Sequence, residues 1–261
     1  MQGLRGKRIL IAGGPTGMAA AAARRLVAEG ARLHLGDINE PGLRVIQGEL
    51  VAAGGDVATT KFDLGAPETV AHLVEAAVDH LGGLDGVANV AADLDPELFA
   101  QDRAVIDMDP MVWDRALRVN LVGLALMSKH ALPHLIESGG GSIVNVGSGA
   151  SIEPLTPDWG SLPAYSASKA GVGAVTRHLA LTYGKKGIRA NTIHPGMVLS
   201  ERALLTTPDE VQAQILATQH ALPRLGKAED IAQMIVFLLS EESTWITGQG
   251  FHVNGGHIYR E

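Results

Sequence analysis

Seven short apolar runs, rich in β-branched residues, recur along the chain. They lie at 8–13 (RILIAG), 32–37 (RLHLGD), 57–63 (VATTKFD), 85–90 (DGVANV), 142–148 (SIVNVGS), 188–195 (IRANTIHP) and 248–256 (GQGFHVNGG). Longer stretches with helical character separate them, among them 20–30, 68–83, 111–138 and 228–240. This alternation is the tightest constraint on the fold. Strands separated by helices of that length pair through crossover units, and serial crossovers build a parallel sheet. The middle and late helices are apolar on more than one face, so burial on both sides is expected. The 261 residues could hold one large domain or two small ones. No linker, internal repeat or shift in composition marks a boundary. The reading is one α/β domain over 1–261, a doubly wound parallel sheet with helices on both faces.

The first strand runs straight into GGPTGMA, with Gly13, Gly14 and Gly17, and then into a helix. Glycine lets the backbone turn tightly and approach a pyrophosphate, which the free N–H groups and dipole of the helix start attract. A glycine turn between strand and helix is also common in any α/β protein. The second strand ends in Asp37, 20 residues beyond Gly17, where an acidic residue would bind a ribose diol. The same aspartate could instead cap a helix starting near Pro41. Together the two features favour a dinucleotide site.

A second pattern lies at 164–175, AYSASKAGVGAV. Small residues there suggest a closely packed helix, and Tyr165 and Lys169, at i and i+4, share one face of it. A phenol beside an ammonium is either a surface accident or a proton-transfer device. Other constellations carry less. His130 and His134 have the spacing of two metal ligands, but Pro133 intervenes and no third ligand is evident, so no metal is expected. Ser148 lacks the glycine two residues earlier that a hydrolase elbow needs. With no cysteine, thiolate chemistry and disulfides are excluded. Net charge is −7 and no Lys/Arg cluster exceeds a pair, which argues against nucleic acid. The apolar run after the N-terminal charges is too short for a signal or membrane segment, so a cytoplasmic protein without membrane contact is expected.

In order along the chain, the glycine turn, Asp37, Asp63 in FDL, NVAA (89–92), Asn120 in RVNLVG, Ser148 in SIVNVGS, YSASK, HPGMVLS (194–200) and ITGQGFHVNGG (246–256) resemble the short-chain dehydrogenase/reductase family over essentially the whole length. The resemblance implies a Rossmann-like sheet and a catalytic tetrad of Asn120, Ser148, Tyr165 and Lys169. It implies NAD as cofactor, bound by Gly13, Thr16, Gly17, Met18, Asp37, Asp63, Leu64, Asn89, Tyr165, Lys169, Pro195, Gly196, Val198 and Ser200. Asp63 would touch the adenine and Asn89 would sit under its ribose. Pro195, Gly196 and Val198 would border the nicotinamide, with Ser200 where threonine is usual. Asn120 would open a local kink and hold a water linking Lys169 to solvent. Ala12, Ala19, Val90 and Ala92 depart from the family pattern; at Ala12 and Val90, on neighbouring strand ends, an apolar contact is expected to replace a polar one. The helices 111–138 and 163–183 and the segment 228–254 resemble the faces on which this family forms homotetramers.

The chemistry this implies is interconversion of a secondary alcohol and a ketone by hydride transfer, with Tyr165 as general acid/base. A free phenol has a pKa of about 10 and is a poor base at neutral pH; the positive charge of Lys169, one helical turn away, favours phenolate. Lowering the pKa by roughly 3 units corresponds to about 4 kcal/mol. Ser148, ending a strand, would hold the substrate oxygen, though a strand-end serine also suits a turn cap. Three segments should border the substrate: 93–110, the loop 149–163 with Ile152, Leu155, Trp159 and Leu162, and a lid over about 200–222 with Leu204 and Leu205 inward. Such an apolar pocket suggests a ring-containing or long-chain alcohol or ketone. Asp37, with no cation in the glycine turn or just after the second strand, points to NAD over NADP. Two rivals are an NADP-dependent 3-oxoacyl-thioester reductase and a non-catalytic dinucleotide-sensing regulator.

Overall fold

Every one of the seven apolar runs becomes a strand in the computed structural model, which describes residues 1–152, 162–199 and 208–257. The elements are β1 (Arg8–Ala12), α1 (Gly17–Ala28), β2 (Arg32–Asp37), α2 (Glu40–Ala52), β3 (Val57–Lys61), α3 (Pro67–Leu81) and β4 (Gly86–Asn89). Next come α4 (Pro96–Gln101), α5 (Pro110–Leu117), α6 (Leu124–Glu137), β5 (Gly141–Val146), α7 (Pro163–Tyr183) and β6 (Ile188–Pro195). The last are β7 (Val198–Leu199), α8 (Asp209–Gln219), β8 (Gly226–Lys227), α9 (Ala228–Leu239) and β9 (Gly250–Val253). The main sheet has the order β3-β2-β1-β4-β5-β6-β9, and every pairing in it is parallel. The chain winds outward one way from β1 and then the other way from β4. That reversal leaves a crevice at the carboxyl ends of β1 and β4, the place where open α/β sheets bind ligands.

Strand alternation feeds two cores. Ile9 and Ile11 of β1 join one with Leu33, Leu35, Val144 and Val146, while Leu10 joins the other with Val87 and Ile143. The first core is closed by α1, α2 and α9, the second by α3, α6 and α7. Helix α1 packs against α9 and carries a run of buried alanines, Ala19 to Ala23. Alanine keeps its helix propensity while letting a neighbouring backbone come close. Ala19, where a family glycine was expected, is part of that run.

The helical stretch expected over 111–138 is broken. Between α5 and α6, residues Arg118–Gly123 form a π-helical turn, with Asn120 buried within it. Apolar residues keep arriving at helical spacing through this point, so periodicity alone does not reveal it. The extra residue in the turn is held by a tertiary contact, the Asp93 backbone N–H donating to Asn120 Oδ1 at 2.8 Å. This is the local irregularity expected at Asn120. The lid segment contains α8, and its first part, 200–207, lies outside the described residues. Among the described residues no helix is long and apolar enough to cross a membrane.

Candidate active site

The crevice is built around the turn after β1. Gly13 has φ +99°, and a Cβ there would stand 2.8 Å from the Ala91 backbone nitrogen, so glycine is required where β1 and β4 diverge. Val90 and Ala91 donate backbone bonds to the Ala12 carbonyl at 2.9 and 2.8 Å. The side chains of Ala12 and Val90 pack into different cores. What joins these two strand ends is therefore a backbone bond, and the apolar side-chain contact expected between them is replaced by it.

Thr16 precedes α1 as its N-cap, yet its side chain makes no capping bond and the first turn holds no acidic residue. The N–H groups at Gly17 and Met18 thus start a helix whose positive end has no side-chain anion on it. Asp37 accepts from Gly14 N–H at 3.1 Å through Oδ2 and from Asn39 N–H at 2.9 Å through Oδ1. The cap of α2 is Asn39, which accepts from Gly42 N–H at 3.1 Å. Asp37 is therefore no helix cap; it is tied to the glycine turn with lone pairs to spare. Asp63, just past β3, is exposed, while the neighbouring Leu64 is buried. At the end of β4, Asn89 donates to Asn145 Oδ1 at 2.8 Å, and its own Oδ1 is buried without a partner. A glycine cradle, an uncapped helix start, a strand-end carboxylate and an orphaned amide oxygen suit a dinucleotide. Pro195 ends β6 and Val198 opens β7, with Gly196 N–H donating to Val253 O at 3.2 Å. Ser200, Leu155, Trp159, Leu204 and Leu205 lie outside the described residues.

Of the four residues expected as a tetrad, Ser148, Tyr165 and Lys169 meet at the carboxyl edge of β5, and Asn120 lies against α7 through Ser168. Ser148 follows this strand, and its hydroxyl is near enough to Tyr165 to draw the phenol's pKa downward. It also accepts from Ala150 N–H at 3.2 Å, the turn-capping role that a strand-end serine suits. Lys169 is buried beneath; its Nζ donates to Val146 O at 3.0 Å and lies 5.9 Å from the Tyr165 ring centroid. Burial pushes the ammonium down to about 8. The Tyr165 phenol, by contrast, is pushed up, because burial outweighs the opposing influence of Ser148. A phenol lowered by Lys169 is thus not what the protein alone provides. Asn120 Nδ2 faces Ser168 Oγ at 3.3 Å, while its Oδ1 is taken by Asp93.

Three neighbours went unread in the sequence. Phe99 meets the Tyr165 ring edge-on, with centroids 5.3 Å apart. Asp102 accepts from the backbone N–H groups of Ala164 and Tyr165 at 3.0 and 2.9 Å. Arg115 reaches Asp93 at 2.7 Å and Asp95 at 2.8 Å. An aspartate just after a short helix carries no motif, and its partners are more than sixty residues away.

Residues 12–257 match a family model described as enoyl-(acyl carrier protein) reductase. The chain is 34% identical over 253 residues to a 2,5-dichloro-2,5-cyclohexadiene-1,4-diol dehydrogenase of Sphingobium indicum, covering 97% of this chain and 96% of that protein. It is 35% identical over 251 residues to a 7alpha-hydroxysteroid dehydrogenase of Bacteroides fragilis, covering 96% and 93% respectively. Among solved structures, a short-chain type dehydrogenase/reductase from Mycobacterium ulcerans superposes with a TM-score of 0.88 at 29% identity, over 97% of this chain and 90% of that one.

Proposed function

The chain belongs to the short-chain dehydrogenase/reductase family, and from that premise we propose that it interconverts a cyclic secondary alcohol and its ketone with NAD(H), using Tyr165 as general acid/base. The observation that carries the reading is the buried Lys169 ammonium, 5.9 Å from the Tyr165 ring centroid, at the edge of the crevice that Gly13 and Asp37 border. The dinucleotide would lie along Gly13, Thr16, Gly17, Met18, Asp37, Asp63, Leu64, Asn89, Pro195, Gly196, Val198 and Ser200. Bound there, it supplies or accepts the hydride. Ser148 holds the substrate oxygen, and Tyr165 takes the proton from that oxygen or returns it. Lys169, adjacent and protonated below about pH 8, would favour the phenolate and reach the ribose of a bound dinucleotide. Asn120 keeps the π turn in place beside this proton path.

NAD is favoured over NADP because a 2′-phosphate would meet the Asp37 carboxylate, and Pro15, Thr16 and Ile38 offer no cation. Arg44, the nearest candidate, is paired with Glu40 at 2.6 Å. A ring-bearing substrate is supported by the two relatives named for cyclic alcohols. The homotetramer is supported by Met111, Val122 and Leu181, exposed apolar residues on the helices where this assembly is expected. A panel of cyclohexanols, hydroxysteroids and their ketones, followed at the nicotinamide absorbance with NAD(H) and NADP(H), tests the reading. No turnover of any secondary alcohol or ketone would sink it.

A further inference from the structure

Resting on that reading, we propose that Asp102 is a positioning residue for Tyr165, holding the first turn of the catalytic helix by engaging the backbone donors that turn leaves free. Helix α7 begins at Pro163, which has no N–H to offer. Leu162, before it, provides no side-chain cap. Ser166 N–H already bonds Leu162 O at 2.8 Å. Only the N–H groups of Ala164 and Tyr165 remain, and each is taken by one oxygen of Asp102, at 3.0 and 2.9 Å. The carboxylate is 3% exposed, and it lies at the positive end of the helix, where a negative charge is favoured.

Helix ends fray, and Tyr165 is the third residue of its helix. An ordinary N-cap comes from the residue just before the helix. Here it comes from a segment on the substrate side, so the placement of the tyrosine depends on that segment. The segment 93–102 grips the tetrad at three points. Its first residue donates to Asn120 Oδ1 at 2.8 Å, its Phe99 sets the Tyr165 ring at an interplanar angle of 71°, and its last residue holds the Tyr165 backbone. Arg115, bridging Asp93 and Asp95, fastens the segment to α5. One short stretch thus fixes two catalytic residues that lie 45 positions apart.

The test compares Asp102→Ala, Asp102→Asn and, as a control for stability loss alone, Leu50→Ala in the remote α2. Kinetics use the alcohol that the parent oxidises fastest in the panel above. Amide exchange is read in the peptide 162–166, and the Tyr165 phenol is titrated by NMR with labelled tyrosine, assigned through Tyr165→Phe. Asp102→Ala should lower kcat by roughly ten-fold or more, with a smaller change in KM for NAD, because the glycine turn is untouched. Exchange in 162–166 should quicken, and the phenol should titrate closer to a free tyrosine as its burial loosens. Asp102→Asn, which keeps one acceptor, should fall between parent and alanine. Leu50→Ala should lose stability and keep kcat. A kcat for Asp102→Ala within two-fold of the parent, or an equal loss in Leu50→Ala, would overturn the proposal. Were the parent inactive on every alcohol and ketone, the dehydrogenase reading would fall, and exchange with phenol titration would still decide whether Asp102 positions the tyrosine.

Discussion

Mild acid should loosen this protein in good part through one imidazole, on the strand that carries Asp37. His34 sits in the middle of β2 and is 3% exposed; its Nε2 lies 2.8 Å from Thr60 Oγ1, and its Nδ1 has no partner. The His80 ring stands 5.5 Å away, and His72 also acts on it. Burial first, and then these two histidines, hold its pKa at about 4, against 6.5 for an ordinary histidine. At about 1.36 kcal/mol per unit, this gap corresponds to about 3 kcal/mol of stability. The folded state resists the proton that the unfolded chain accepts. The contribution is therefore complete above pH 6.5 and drains away as the pH falls toward 4, with about 2 kcal/mol gone by pH 5. Carboxylates held low by partners, such as Asp56 beside Arg32 and Asp230 beside Arg224, are lost at still lower pH. Other buried histidines, His194 among them, titrate in the same direction, so the assay is comparative. Urea unfolding of the parent and of His34→Gln, at pH 7.5, 6.0 and 5.0, should show the variant losing about 2 kcal/mol less than the parent across that range. Parallel pH dependences in the two proteins would refute the assignment.

Three further outcomes are expected. Tyr165→Phe removes one hydroxyl and little volume, so it should fold and bind dinucleotide normally while turnover falls at least 10²-fold, about the lower end for general acid–base catalysis; steady-state rates within a few-fold of the parent would end the mechanism. Lys169→Met should move the pH at which alcohol oxidation switches on upward, since a cation favouring phenolate is lost, and should weaken NAD binding. An unchanged pH–rate profile with normal affinity would make Lys169 a bystander. The parent should favour NAD over NADP by about ten-fold or more in kcat/KM, worth about 1.4 kcal/mol, and Asp37→Ala should narrow that margin; equal efficiencies in the parent would show that the carboxylate does not discriminate.

What the sequence makes legible is whatever is written locally. The apolar runs fall on the strands, although 57–63 ends two residues early as β3, at Lys61. The glycine turn and Asp37 lie where their spacing places them, and Asn39, rather than Asp37, proves to be the cap. Tyr165 and Lys169 share a helix face, and their spacing alone suffices to say so. What stays hidden depends on partners distant in the chain. The π turn at Arg118–Gly123 keeps helical hydrophobic spacing, so only the Asp93 bond to Asn120 distinguishes it. The upward displacement of the Tyr165 phenol reflects the packing around it, which no i, i+4 rule reports. Asp102 looks like any acidic residue until Ala164 and Tyr165 are folded against it.

The contact between α1 and α9 has a consequence for how the chain reaches its fold. The buried alanines of α1 lie at residues 19–23, and the helix packed on α1 spans residues 228–239. During synthesis the first βα unit can form early, but the side of α1 that α9 covers stays open until more than two hundred further residues have been added. Closing so long a loop is slow, and a half-made sheet with an uncovered helix is prone to associate with other chains. β9, which joins the sheet beside β6, arrives later still. A growing chain of this protein therefore carries its glycine turn early, on a half-domain that stays unfinished until almost the last strand.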